Sequence, residues 1–393
     1  MNGEASAAIQ WGLLQRRMLA LGFVALLVGG GGALIQPQPF FFAYLSAYVF
    51  WLGIPVGCLA LLMLHHLVGG RWGFMIQRVL EAAIQTLPLM ALLFVPLLFG
   101  LPDLYPWARA EVVAGDPLLQ QKAAYLNSPF FIARAVVYFA IWVGVGRLLV
   151  HWSLEQDRTA DVTLTQRLQR LSGPGLVLYG LTVTFSVIDW IMSLEPKWYS
   201  TIFGMIFIVS YGLAALAFVI IVANRIKDEA PLARVISAER FHDLGNLLLA
   251  LVMLWAYMQF SQFLLIWSEN LTEEIPWYLH RITGGWEWIA MALILFLFAL
   301  PFVLLLLRTT KRSAVMLAWV AGGILFMHWL DVLWMVIPSF YPGRFYLHWM
   351  DMVLPIGIGA LWLAAFLGYL KARSLLPLHD PRFTELLERA QEA

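Results

Sequence analysis

Charge is what this sequence has least of. Lys, Arg, Asp and Glu together make up 12% of the 393 residues, against 61% hydrophobic; a soluble domain carries roughly a quarter of its residues as charges. A soluble globular enzyme is therefore excluded. Cysteine is equally scarce, with Cys58 the only thiol, so the chain can form no internal disulfide and cannot ligate an iron–sulfur cluster by itself. Histidines are few, and only His328 lies well inside an apolar run; His65, His66, His151 and His242 fall near run ends on one side, His280 and His348 on the other, and His379 in the tail. A b-type haem, which needs paired axial ligands at matching depth on facing helices, has no such pair. No G-x-x-x-x-G-K-[ST] loop occurs, and the glycine run Gly29–Gly32 sits inside the first apolar segment, where small residues serve close helix packing.

What is present is a series of long apolar runs separated by short charged clusters. A hydrocarbon core takes roughly 20 helical residues to cross. Ten segments qualify: 18–35, 43–64, 83–100, 131–150, 173–194, 203–223, 245–267, 286–307, 314–337 and 349–370. They are continuous rather than alternating in hydropathy, which predicts helices and not a β-barrel. The fold class expected is all-α integral membrane, a single polytopic domain over 1–393. The loop 101–130 is the longest stretch outside the membrane, and no soluble domain fits anywhere. Trp51, Trp72, Trp107, Trp152, Trp198, Trp277 and Trp349 mark span ends as interfacial anchors do.

Lys and Arg set the expected orientation. With the N-terminus inside, nineteen of the 25 basic residues lie on inner segments and six (Arg109, Lys122, Arg134, Lys197, Arg281, Arg344) on outer ones, and the alternation holds over nine loops. The positive-inside rule then predicts both ends on the cytoplasmic side of the membrane. Segment 18–35 has no small-residue cleavage site after it and reads as an uncleaved first helix.

Polar residues at membrane depth are costly and usually functional. Segment 314–337 carries His328 and Asp331 in His-Trp-Leu-Asp, on one helix face at i, i+3 spacing. The next begins with the same pattern, His348 and Asp351 in His-Trp-Met-Asp. Gln259 and Gln262 share a face of 245–267; Asp189 and Glu287 fall toward outer ends; Asp243 and Asn246 start 245–267 on the inner side, and Glu81 and Gln85 start 83–100. Carboxylates, His and Gln can relay protons or hydrogen-bond a quinone ring. The proton-route candidates are Asp243, Gln259, Gln262, His328, Asp331, Glu287, Asp351 and Asp189, with His328 and Asp331 sharing one proton and Tyr257 and Ser261 helping to bridge the gap from Asp243. The plainer alternative is that each is a satisfied packing or capping residue, most of all Glu287, His348 and Asp351 near water. No catalytic residue and no metal ligand is expected.

The stretch Glu239–Arg281, ERFHDLGNLLLALVMLWAYMQFSQFLLIWSENLTEEIPWYLHR, closely resembles the second NrfD-like (polysulfide-reductase-type) membrane subunit of bacterial alternative complex III, a quinol:cytochrome c oxidoreductase of respiratory or photosynthetic electron transport. The ten-span layout agrees over essentially the whole chain, and the Trp-Tyr-Leu-His-Arg loop is a specific feature. The resemblance implies two four-helix bundles, about 43–194 and 203–337, with 18–35 and 349–370 flanking them. It implies a bacterial cytoplasmic-membrane location. It implies partners: a homologous quinol-oxidising membrane subunit, an iron–sulfur subunit and multihaem cytochromes c. Iron–sulfur clusters and haem c then belong to those partners, this chain binds no redox cofactor of its own, and a quinone lies at or near it.

A quinol site of that kind would need an outward-facing His or Asp in the first bundle. That bundle offers Tyr138, Tyr179, Thr182, Thr184 and the near-surface Asp189, with no mid-depth His, which favours the companion role of structural support with a proton route. Gly53 and Gly57 are expected to let a partner helix approach closely. A secondary transporter stays open as an alternative, although the prolines Pro55, Pro88, Pro96, Pro301 and Pro355 show no internal repeat.

Overall fold

A computed structural model of the chain describes residues 2–229, 237–377 and 379–383, with side chains left out for 2–10 and 71. Among the described residues there is no strand, and ten helices are long and apolar enough to cross a membrane. They are span one (Trp11–Ile35), two (Pro37–Val68), three (Trp72–Phe99), four (Ser128–Thr159), five (Thr163–Leu194), six (Phe203–Ile226), seven (Ala238–Glu269), eight (Trp286–Leu306), nine (Ala314–Ser339) and ten (Met350–Lys371). The protein is an all-α integral membrane protein. Ten alternating crossings leave both described ends on one side, called here the terminal face; the other is the opposite face.

Spans two and six are the hub. They pack on each other, and each is surrounded: spans three, five and ten contact span two, while spans five, seven and nine contact span six. Small residues allow this. A side chain at Gly57 would come within 2.0 Å of the Tyr211 carbonyl oxygen, and one at Gly53 within 2.5 Å of the Tyr211 ring. The Gly53/Gly57 face expected to meet a partner subunit is thus consumed inside the chain. Spans two to five pack on one another and are called here the first bundle, spans six to nine likewise the second, with span ten laid against span two and span one against span ten. The glycine run works at that last seam, where Gly29 abuts Leu354 and Gly32 abuts Met350 and Trp349.

Several spans are longer than hydropathy indicates, because helices run on past the apolar core at the terminal face. Span three is the clearest case. It consists of helices Arg71–Ile84 and Leu87–Phe99 joined at Gln85–Thr86. Pro88 has no N–H to offer the Ile84 carbonyl, so the helix must break. Thr86 turns its hydroxyl back onto the Ala83 carbonyl at 2.6 Å and accepts Trp362 Nε1 of span ten at 2.7 Å. The first half hides Gln77, Arg78 and Glu81, which lower local hydropathy yet are buried with one another. Glu81 accepts from Arg78 Nη1 (2.5 Å), Ser153 Oγ (2.6 Å) and Gln77 Nε2 (3.0 Å), and Arg78 also binds Asp157.

The 101–127 loop is folded down on the opposite face of the first bundle in short helical turns. Tyr105 donates to the Trp190 carbonyl at 2.9 Å, Trp107 Nε1 to Ser193 Oγ at 3.1 Å, and Lys122 Nζ to the Pro196 carbonyl at 2.6 Å.

Candidate functional site

Span nine starts on a Ser313 cap, whose hydroxyl oxygen faces the Met316 amide, and turns Ile324, Met327, His328, Asp331 and Met335 inward. The i, i+3 spacing stacks His328 and Asp331 on that face, 0% and 2% exposed. The Asp331 carboxylate accepts Trp255 Nε1 at 3.2 Å and Gln259 Nε2 at 3.4 Å, both from one face of span seven. His328 Nδ1 stands 3.8 Å from Asp331 Oδ2. That is close enough for Coulomb attraction if the ring is protonated, and too long for a hydrogen bond. Neither ring nitrogen of His328 has a hydrogen-bond partner among the described residues, and the ring lies 5.8 Å from that of Phe50 in span two. A carboxylate offers about four acceptor positions. Asp331 fills two of them, both at long distance, so this pair keeps capacity for a proton, a water or a ligand.

Asp331 also borders a cavity of about 580 Å³ between spans seven, eight and nine and the helix Ile275–Ile282. Its walls are apolar and aromatic, with Phe260, Phe263, Tyr278, Phe298 and Trp334 among them, and Gln259 and Asp331 are the amide and carboxylate at it. Tyr257, Phe260 and Ile294 are exposed, so the cavity opens toward the lipid side of the bundle. One wall of span eight is a π-helical turn, Ile294–Ala299, placed just before Pro301. Such widened turns recur at functional sites, because one extra residue per turn shifts the side chains below it.

The remaining sequence candidates are distributed as follows. Gln259 joins the pair. Gln262, one turn on, is buried but accepts from Ser200 instead. Asp243 is exposed at the terminal face, about 18 Å along span seven from Trp255 at 1.5 Å per residue. The buried positions between them on span seven are Leu244, Gly245, Leu248 and Val252, all without a polar side chain. Tyr257 faces lipid. Glu287 is exposed and accepts the Gly285 amide at 2.7 Å. Asp351 is buried and accepts the His348 amide at 2.7 Å, as a cap of span ten. Asp189 belongs to the other bundle, where Arg134 grips it with two hydrogen bonds of 2.8 and 2.9 Å and Tyr138 adds one of 2.7 Å.

Above Asp331 the structure gathers residues that sequence reasoning passed over. Trp334 Nε1 donates to the Arg281 carbonyl at 2.9 Å. The Arg281 guanidinium, 1% exposed, reaches the carbonyls of Trp277 and Met335, Ser339 Oγ and Glu195 Oε1 at 2.7–3.0 Å. It also stacks on the Trp277 ring at 3.8 Å. Burial pushes its pKa below the ordinary arginine value, and the Glu195 carboxylate pulls the other way. Glu195 is 18% exposed and faces His280, which is 30% exposed, at 3.4 Å. A carboxylate–imidazole pair thus stands at the surface end of span nine, one to two turns beyond Asp331. Its signal was present in the Trp-Tyr-Leu-His-Arg loop, but Glu195 lies some eighty residues earlier and only folding joins them.

Among the described residues no group of three or more His, Cys, Asp or Glu is placed to hold a metal ion. No protein-family model matches the chain, and no curated protein matches it.

Proposed function

We propose that this chain is a proton-handling, non-redox membrane subunit of a quinol:cytochrome c oxidoreductase complex, of the alternative complex III type. The observation that carries the proton role is the under-coordinated His328–Asp331 pair, buried in span nine and bordering a cavity. Burying an unpartnered imidazole beside a carboxylate that fills only part of its hydrogen-bonding capacity is costly, and membrane proteins keep such groups for function. The complex itself is supported by the likeness of Glu239–Arg281 to the NrfD-like family. Its implied neighbours are a homologous quinol-oxidising membrane subunit, an iron–sulfur subunit and multihaem cytochromes c, which supply the haem c and iron–sulfur clusters.

In this reading the terminal face is cytoplasmic, in a bacterial inner membrane, as the distribution of Lys and Arg indicates. Asp331 takes up a proton and shares it with His328. The proton leaves toward Glu195 and His280 at the opposite face, rather than past Glu287 or Asp351, which are occupied with local backbone caps. Uptake from the Asp243 side requires water to enter the apolar layer at Leu248 and Val252, so the route works as a half-channel with one dry segment.

One observation favours a second reading, in which this chain itself binds the quinol. The cavity offers an apolar, aromatic-walled volume ending in a carboxylate, an indole N–H and an amide, the groups a hydroquinone ring would hydrogen-bond. Purification from the native membrane without a tag, followed by subunit identification and haem spectra, tests the assignment. The expected outcome is co-purification with a related ten-span subunit and c-type haem proteins, with no haem in the chain expressed alone. A homodimer without a heterologous partner, or stoichiometric haem in the isolated chain, would contradict it. A quinone analogue that photolabels Phe260 or Tyr278 in the assembled complex would select the second reading.

A further inference from the structure

We propose that the lipid-facing groove between spans three and four is a specific site for an anionic phospholipid, with Arg147 holding the headgroup phosphate. A pocket of about 200 Å³ lies there, lined by Ile84, Gln85 and Pro88 of span three, Gly146 and Arg147 of span four, and Tyr369 of span ten. Unlike the cavity at Asp331 it is as polar as it is apolar, and it sits close to the membrane boundary: Tyr369 is two residues from the end of span ten.

The argument starts from an unpaired charge. Arg147 is exposed on a membrane span and makes no hydrogen bond or ion pair with any described residue. The nearest carboxylate along its own helix, Glu155, is two turns away and faces His151 at 3.7 Å. A guanidinium at this depth must find an anion or reach water. The Gln85 amide and the Tyr369 hydroxyl converge on the same pocket from two other spans, and neither has a hydrogen-bond partner among the described residues. One cation and two neutral hydrogen-bonding side chains, with no acid among the residues lining the pocket, suit a ligand that is anionic and rich in acceptor oxygens. The guanidinium fork matches phosphate oxygens two at a time.

The surroundings select a lipid rather than free phosphate. From the pocket, two apolar stripes run toward the opposite face, each half-buried at its start (Pro88, Val143) and exposed beyond it. One follows Pro88 along span three through Leu92, Val95 and Phe99, the last 79% exposed; the other follows Arg147 along span four through Val143, Ala140 and Val136. Both keep helical i, i+3/i+4 spacing, so the headgroup site continues into a groove fit for acyl chains. Basic pockets between spans on the cytoplasmic side bind anionic headgroups in this manner.

Native mass spectrometry of the full-length protein, released from mild detergent after incubation with dioleoyl-phosphatidylglycerol or dioleoyl-phosphatidylcholine, tests this. We expect one phosphatidylglycerol retained, with roughly tenfold preference over phosphatidylcholine, as a charge-assisted pair would give. Arg147→Gln should remove that preference, while Arg109→Gln on the opposite-face loop keeps it. Millimolar inorganic phosphate should not displace the lipid. Equal retention of the two lipids, unchanged preference in Arg147→Gln, or displacement by phosphate would overturn the assignment. Should Arg147→Gln fail to fold, the pair Gln85→Leu with Tyr369→Phe serves in its place, and undiminished preference there would equally overturn it.

Discussion

Two buried aspartates show how differently one residue type can be used. Asp189 is saturated by a bidentate Arg134 and by Tyr138, and Arg134 is itself held by the Tyr125 carbonyl and stacked on the Tyr125 ring. It is a structural clamp. Removing one partner of such a pair strands a charge, so Arg134→Met is expected to cost about 3–5 kcal/mol, measured as a lower unfolding temperature of the purified protein. Asp331, with its two long hydrogen bonds, is the opposite case. Trp255→Phe combined with Gln259→Leu leaves the buried carboxylate without both donors and should cost about 1–3 kcal/mol per lost bond, and lower turnover of the assembled complex, since these groups orient the carboxylate. Unchanged turnover in the double variant would mean they do not act on Asp331. The Asp331/His328 pair was legible in the sequence from its depth and spacing. Trp255 was not, because an indole on a mid-span face reads as packing until the fold turns its N–H onto a carboxylate.

Among the helices, close approach makes the sharpest prediction. Gly57→Ala puts a methyl within 2.0 Å of a backbone oxygen of span six, which cannot yield without parting the two central spans, so a loss of about 1–3 kcal/mol or more is expected. Gly30→Ala, with nothing near, should be neutral or stabilising, and thermal unfolding of the two variants side by side gives the comparison. At the opposite face, the Lys197 ammonium at 3.2 Å and the Leu118 amide hold the Asp116 carboxyl below its usual range. A depressed folded-state value means stabilisation that is present above the ordinary carboxylate value, about 3.9, and lost as pH falls through the lowered one. Hydrogen exchange over the helix Pro117–Lys122, corrected for intrinsic rates, should stay protected from neutral pH down to about 4 and open below it. Asp116→Asn, which loses the attraction to Lys197, should flatten that profile, and an unaltered profile would count against the account. All ten spans were legible because each keeps a continuous apolar stretch. The terminal-face half of span three was not, since Gln77, Arg78 and Glu81 mutually satisfy one another and hydropathy has no means of crediting a buried polar network. The π turn of span eight had no sequence signal beyond Pro301.

Across the whole molecule, the two bundles share the seam of spans two and six but present unequal surfaces. Spans one, seven and eight are mostly outside, with Leu27, Trp267, Trp288 and Ile294 all more than half exposed. Lipid or a partner subunit covers such surface, and under the proposed function the pair of bundles packs against a homologous membrane subunit. The cluster of Glu195, Arg281, Ser339 and His280 ties the end of the first bundle to spans eight and nine. It was hidden from sequence reasoning because its members come from three distant loops and span ends. That cluster and the His328–Asp331 pair line up at the opposite-face end of span nine, which is why the account takes Asp331 as its centre. The direct test is Asp331→Asn in the assembled complex reconstituted into vesicles, with quinol oxidation and proton release followed together. Asparagine keeps the shape and much of the hydrogen bonding while removing the titrating group. The account predicts a complex that assembles normally and shows impaired turnover or proton release; full turnover with unchanged proton release would contradict it and leave Asp331 a packing residue.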